Sequence, residues 1–200
     1  MPAKRNGCPA PRQLILVTGA PASGKSTLVA RLAADYGWCC CCKDEIKELL
    51  LDNLGAPADA HGSRRLSDAS FALMFMFADR LLRALPTLLL EGNFRPGEHE
   101  APLQQLCAAG RCVSLQLLCV ADPALRQARL RARASDPSRH SGHGDHFLDA
   151  PSAGDNPAAS GYLALPGARL QFDGGTGFDG AYAQLRRQLE HWLSSGSTSA

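Results

Sequence analysis

The sequence predicts an α/β protein in which a parallel sheet of five short strands is covered by helices on both faces. Three observations lead there. Five short runs are apolar without alternation, as strands buried on both faces are. Segments with apolar residues at helical spacing separate them. The first run stops at a glycine-rich turn directly before a helix. Strands that alternate with helices must be joined by crossovers, and that makes the sheet parallel.

The elements follow in order. Gln13-Leu-Ile-Leu-Val-Thr18 is the first strand. From Lys25 to Tyr36, Leu28, Val29, Leu32 and Ala33 fall on one helical face, and Gly37 suits a left-handed C-cap. Trp38–Cys42 reads as a second buried strand and Lys43–Leu54 as a second helix. Residues 55–65, rich in Gly, Pro and Ala, read as a loop. Ser67 or Asp68 is placed to cap a long helix reaching about Leu85, where Pro86 blocks continuation. Thr87–Glu91 is another buried strand. Glu98–Ala109 reads as a helix ended by Gly110, and Val113–Val120 as the fourth strand. Asp122-Pro123 opens an arginine-rich helix to about Ala134, since proline is favoured in a first turn. Residues 135–160 turn to Ser, Gly, His, Asp and Pro without periodicity, the composition of a mobile loop. Ala168–Phe172 is the fifth strand and Gly180–Leu193 the last helix. Residues 1–12, with three prolines, and residues 194–200 read as flexible tails, which leaves 13–193 as a single domain.

Composition narrows the function. Of 200 residues, 45% are apolar and 20% charged, enough for a full core, so wholesale disorder is excluded. The net charge of +2 provides no global field for nucleic acid or an anionic membrane. No apolar run approaches the roughly 20 residues that cross a bilayer. The basic N-terminus lacks the apolar segment of a secretory signal, and the expectation is a cytoplasmic protein. Four of the eight cysteines are consecutive, Cys39 to Cys42; neighbours on a strand face opposite ways and cannot converge on one ion. Cys8, Cys107, Cys112 and Cys119 show no C-x-x-C spacing, so the cysteines read as small buried hydrophobes rather than a redox or metal framework.

Gly19-Ala20-Pro21-Ala22-Ser23-Gly24-Lys25-Ser26, followed by Thr27, matches G-x-x-x-x-G-K-S/T where a strand hands over to a helix. Glycines let the backbone wrap a phosphate, while successive N–H groups and the helix N-terminus supply fixed positive potential. Lys25 adds a point charge for β- and γ-phosphates, and the Ser26 hydroxyl can ligate Mg²⁺. The chain has only four lysines against seventeen arginines, so a lysine here is not background.

With the segments CKDEIKELL, LLLEGNF and LRQARLRAR followed by RHSGHGD, this motif resembles the small P-loop kinases, among them polynucleotide kinase, chloramphenicol phosphotransferase, gluconate kinase and the zeta-toxin kinases. The resemblance spans most of Leu14–Leu193. It implies a three-layer α/β/α P-loop NTPase fold with strand order 2-3-1-4-5, ATP and Mg²⁺ as cofactors, and a lid at about residues 122–165.

Acidic and basic positions can then be given roles. Asp44 follows the second strand, at the sheet end where the P-loop lies; similar kinases carry a carboxylate here that orients or deprotonates the acceptor hydroxyl, and a helix N-cap is the plain alternative. Glu91 stands where a Walker-B carboxylate belongs and, one methylene longer than the usual Asp, is a candidate for Mg²⁺ or the acceptor, with a structural role gripping the P-loop backbone as the alternative. Asn93 and Arg95 follow in the same crevice. Arg126, Arg129 and Arg133 share a helix face, with Arg131 off it; Arg129 and Arg133 are the candidates for neutralising the transferring phosphoryl group, ahead of Arg126 and Arg139. His140, His143 and His146, beside Asp145 and Asp149, read as a solvated loop before a ligand contact or a metal site. Phe71, Leu73, Met74, Phe75, Met76 and Phe77 surround a helix and predict core packing rather than an apolar acceptor pocket.

The leading expectation is an ATP-dependent kinase that transfers the γ-phosphate to a hydroxyl of a small molecule. A P-loop ATPase or nucleotide-binding switch is the alternative class; the guanine-reading N/T-K-x-D motif, an LSGGQ-like segment and an Asp-Glu pair after the third strand are all absent. A toxin-type nucleotide-sugar kinase would keep the chemistry, and a nucleic-acid kinase ranks lower because only the lid is basic.

Overall fold

The computed structural model describes residues 11–57, 59–136, 140, 161–175 and 177–195. Five strands, β1 (Arg12–Gly19), β2 (Cys39–Cys42), β3 (Thr87–Glu91), β4 (Cys112–Val120) and β5 (Ala168–Asp173), alternate with six helices: α1 (Lys25–Tyr36), α2 (Lys43–Leu54), α3 (Ala60–Leu81), α4 (Glu100–Gly110), α5 (Pro123–Ala134) and α6 (Phe178–Ser195). The sheet is wholly parallel in the order β2-β3-β1-β4-β5, as the resemblance implied, and the fold is the three-layer α/β P-loop NTPase fold.

Period-two alternation on β1 explains the layers. Leu14 and Leu16 face one side, where Leu88, Leu90, Phe71, Met74, Leu103 and Leu106 complete a core under α3 and α4. Ile15 and Val17 face the other, packed with Leu28, Leu32, Leu89, Leu117, Leu185 and Leu189 under α1 and α6. The register Val17↔Glu91 and Gly19↔Cys119 brings the C-terminal ends of β1, β3 and β4 level, so the segments that leave them share one crevice.

Several expectations are corrected. β2 is not a buried strand: it lies at the sheet edge, with Cys39 exposed and Cys40–Cys42 half-buried. An edge strand can be as apolar as a central one, and its sequence alone does not reveal that one side lacks a neighbour. α3 starts at Ala60 rather than at Ser67, because Asp59 caps it by accepting from the Gly62 amide at 2.7 Å; Ser67 is buried mid-helix. α4 starts at Glu100, and the left-handed residue after it is Arg111 (φ 49°), not Gly110. In the aromatic stretch Phe71 and Met74 are core, whereas Met76 and Phe77 are 40% and 44% exposed. Arg139, His143, His146, Asp145, Asp149, Cys8 and much of the expected lid lie outside the described residues.

Candidate active site

The loop between β1 and α1 is shaped by backbone that ordinary side chains disfavour. Gly19 has φ 140°, and a Cβ there would collide with the Cys119 carbonyl oxygen, so only glycine fits. Ala22 (φ 60°) and Gly24 (φ 95°) are also left-handed, and no side chain caps α1. Amide groups at a helix start, together with a loop of this kind, form an anion-binding concavity. Lys25 Nζ donates to the Gly19 and Ala20 carbonyls, 2.9 Å each, and so sits across the mouth of the loop. Thr18 Oγ1 and Ser23 Oγ are buried beside it without a hydrogen-bond partner among the described residues. Uncapped amides and orphaned hydroxyls are costly unless a ligand uses them, and the donor set suits a polyphosphate.

Two elements brace this loop from behind. Arg129 of α5 donates to the Ala22 carbonyl at 3.2 Å and to the Gly174 carbonyl at 2.9 Å. Gly174, just after β5, lies so close to Ser23 that a Cβ would fall 2.7 Å from the Ser23 carbonyl oxygen.

In front of the loop lies a cleft of about 330 Å³ lined by Gly24, Lys25, Ser26, Lys43, Asp44, Lys47, Ser63, Arg64, Ser67, Glu91, Asn93, Arg95 and Arg133, among others. Burial holds the Lys25 pKa below its ordinary value, opposed chiefly by Glu91. Burial also pushes Glu91 up to about 6, with Lys25 pulling it down and Asp44 pushing it up. Lys43 is buried, pairs with Asp44 at 3.0 Å and places its ammonium 6.0 Å from the Phe71 ring centre. Asp44 is half-exposed in the first turn of α2, whose cap position belongs to Cys42, so N-capping does not account for it.

The family model for the AAA domain matches residues 14–150, from β1 to beyond α5. The chain belongs to that family. The crystal structure of a "putative kinase" from Chloroflexus aurantiacus matches with 30% identity and a TM-score of 0.74, over 89% of this chain and 98% of that one. Together these place the chain among the small P-loop kinases. A sugar kinase from a Janibacter species, at 12% identity and a TM-score of 0.52 over 94% of this chain and 99% of that one, shares the fold. No match was found among curated proteins.

Within this P-loop kinase fold, Gly24, Lys25, Ser26, Asp44, Glu91, Asn93, Arg95 and Arg133 meet in the cleft. Arg129 does not line it but holds the P-loop from outside. His140 contacts Asp52 at the far end of α2, at 2.8 Å. Lys43, Lys47, Ser63, Arg64 and Ser67 also reach the cleft and were not singled out as site residues in the sequence. A signal for two of them was present: three of the four lysines, Lys25, Lys43 and Lys47, are cleft residues. His99 was missed as well. It is buried 4.0 Å from Phe71, and its Nδ1 accepts from the Arg95 amide at 2.8 Å, which fixes the backbone that carries Arg95. Burial lowers its pKa, consistent with a neutral ring that accepts.

Proposed function

We propose that the protein is an ATP-dependent kinase that transfers the γ-phosphate of ATP to a hydroxyl of a small molecule. The observation that carries this is the shared cleft: a P-loop with its lysine at one wall, Asp44 and Glu91 at the ends of β2 and β3, and room for an acceptor beside them. In this reading the amides of residues 19–27 and Lys25 hold the β- and γ-phosphates. Mg²⁺ would be held by Ser26 and approached by Glu91, and would neutralise charge on the phosphate oxygens.

The acceptor oxygen forms the new bond to the γ-phosphorus as the bridge to the β-phosphate breaks, and ADP leaves with that oxygen. Asp44 takes the hydroxyl proton or orients it toward phosphorus. Its pairing with Lys43 keeps it directed, which suits a loose transition state where orientation outweighs basicity. Arg133 lines the same cleft as Lys25, near enough to act on its charge, and neutralises charge on the transferring group. Arg129 acts through the P-loop, by holding Ala22.

The test is transfer of label from γ-labelled ATP into pooled hydroxyl compounds. A labelled product lost in Lys25→Ala supports the kinase; label released only as free phosphate favours a nucleotide-driven switch. Asp44→Asn should retain ATP affinity and lose turnover by a factor of about 100 or more; unchanged turnover would remove Asp44 from the mechanism.

A further inference from the structure

The cleft holds six cationic side chains (Lys25, Lys43, Lys47, Arg64, Arg95 and Arg133) and two carboxylates, Asp44 and Glu91, in a chain whose net charge is only +2. ATP accounts for Lys25 and Arg133, which lie by the P-loop. Lys43, Lys47, Arg64 and Arg95 remain. They come from three separate segments, α2, α3 and the turn after β3, and converge on the wall that the transfer reaction leaves for the acceptor.

Structural duty does not account for all four. Arg64 pairs with Asp68 and Glu98, and Arg95 with the same Glu98 oxygen at 3.2 Å, so these two are held together with further N–H donors unused among the described residues. Lys43 is spoken for in part by Asp44. Lys47 is different. Its only hydrogen bond among the described residues goes to the Ser63 hydroxyl at 3.2 Å, and none of their carboxylates lies within ion-pair distance. Burial and the neighbouring Lys43 hold its pKa below the ordinary lysine value, Arg95 adding to the effect and Asp44 opposing it. Like charges gathered in a half-buried cleft repel one another, and an anion among them turns that repulsion into attraction.

We propose that the acceptor is itself an anion: a small hydroxyl compound that carries a phosphate or carboxylate group, held by Lys43, Lys47, Arg64 and Arg95 while its hydroxyl faces Asp44. The choice of substrate rests on the kinase reading above; the anion site does not, and the two are tested apart. The lysines act as point charges, the paired guanidiniums as planar donors to two oxygens at once, and Ser63 and Ser67 add hydroxyls at the same wall.

Matched acceptors decide the substrate: a pentose against its 5-phosphate, and a polyol against the corresponding sugar acid, each with γ-labelled ATP. Only the anionic members should be labelled efficiently, and whichever pair responds distinguishes phosphate from carboxylate. Lys47→Gln and Arg95→Gln should each raise the acceptor KM about tenfold or more with the KM for ATP unchanged. Neutral members labelled as well as their anionic partners would overturn the proposal. Independently of turnover, inorganic phosphate and malonate are titrated calorimetrically into protein saturated with Mg²⁺ and a non-hydrolysable ATP analogue. One of them should bind, about tenfold more weakly in Lys47→Gln. Equal binding by the variant, or binding of neither anion, would refute the site. Failure of all label transfer beside intact anion binding would count against the kinase reading alone.

Discussion

Replacing Glu91 by Gln should make the protein more stable while removing its activity. Glu91 is 3% exposed, and its pKa rises from 4.5 to about 6 because burial disfavours the charged form. Ionising it is therefore harder in the folded protein than in the unfolded chain. The stability that the neutral carboxyl contributes is complete below pH 4.5 and is lost as pH rises through about 6. That loss amounts to about 2 kcal/mol at pH 7.5, whereas at pH 5 only about 0.8 kcal/mol has gone. Glutamine copies the neutral form in shape and never ionises. In urea melts without nucleotide and with EDTA, Glu91→Gln should gain about 2 kcal/mol over wild type at pH 7.5, some 4–8 °C in Tm by roughly the scaling for this size, and less than half of that at pH 5. Turnover, in contrast, should fall by a factor of about 100 or more. A gain of equal size at both pH values, or a loss at pH 7.5, would show that charge burial at the end of β3 is not what governs this residue.

Other outcomes follow from single contacts. Arg129→Ala should weaken ATP binding about tenfold and lower Tm, since it frees the Ala22 and Gly174 carbonyls; Arg129→Lys should not rescue it, because one ammonium cannot span both. Normal affinity with reduced kcat would instead make Arg129 a direct phosphoryl contact. Gly19→Ala should abolish nucleotide binding and depress the melting temperature by several degrees, as its methyl group meets the Cys119 carbonyl; binding within a factor of about two of wild type, by fluorescence titration, would contradict the geometry. The buried, neutral His99 contributes stability above pH 6.5 that is lost as pH falls below it. His99→Phe should flatten that acid limb in melts from pH 7.5 to 5.5, at a penalty of about 1–3 kcal/mol for the stranded Arg95 amide.

The sheet and P-loop could be read from the sequence because both are governed by local rules: a strand buried on two faces must be apolar throughout, and a loop that wraps phosphate must carry glycine where Gly19 and Gly24 stand. α1, α2 and β3 were placed to the residue for the same reason. The edge position of β2 is not a local property, and Cys39 to Cys42 would read alike in the middle of the sheet. The early start of α3 was hidden by Gly62 and the surrounding loop-like composition; one Asp59 side chain outweighs it. Arg129 looked like a charge that reaches the phosphoryl group because it shares a face with Arg133, yet four residues along α5 separate bracing the loop from lining the cleft. The wall proposed for the acceptor is assembled from α2, α3 and the turn after β3, so no single window contains it; only the scarcity of lysine hinted that Lys43 and Lys47 were unusual.

The Arg129 tie and the packing of Gly174 on Ser23 also bear on biosynthesis. β1, which carries the P-loop, leaves the ribosome well before its neighbours β3 and β4, and the residues that steady its loop come later still, on α5 and after β5. A nascent chain halted before Gly174 would contain every residue of the nucleotide motif, and Arg129, but lack the Gly174 contacts that complete its backing. The nucleotide motif is thus translated well before the residues that hold its loop in shape.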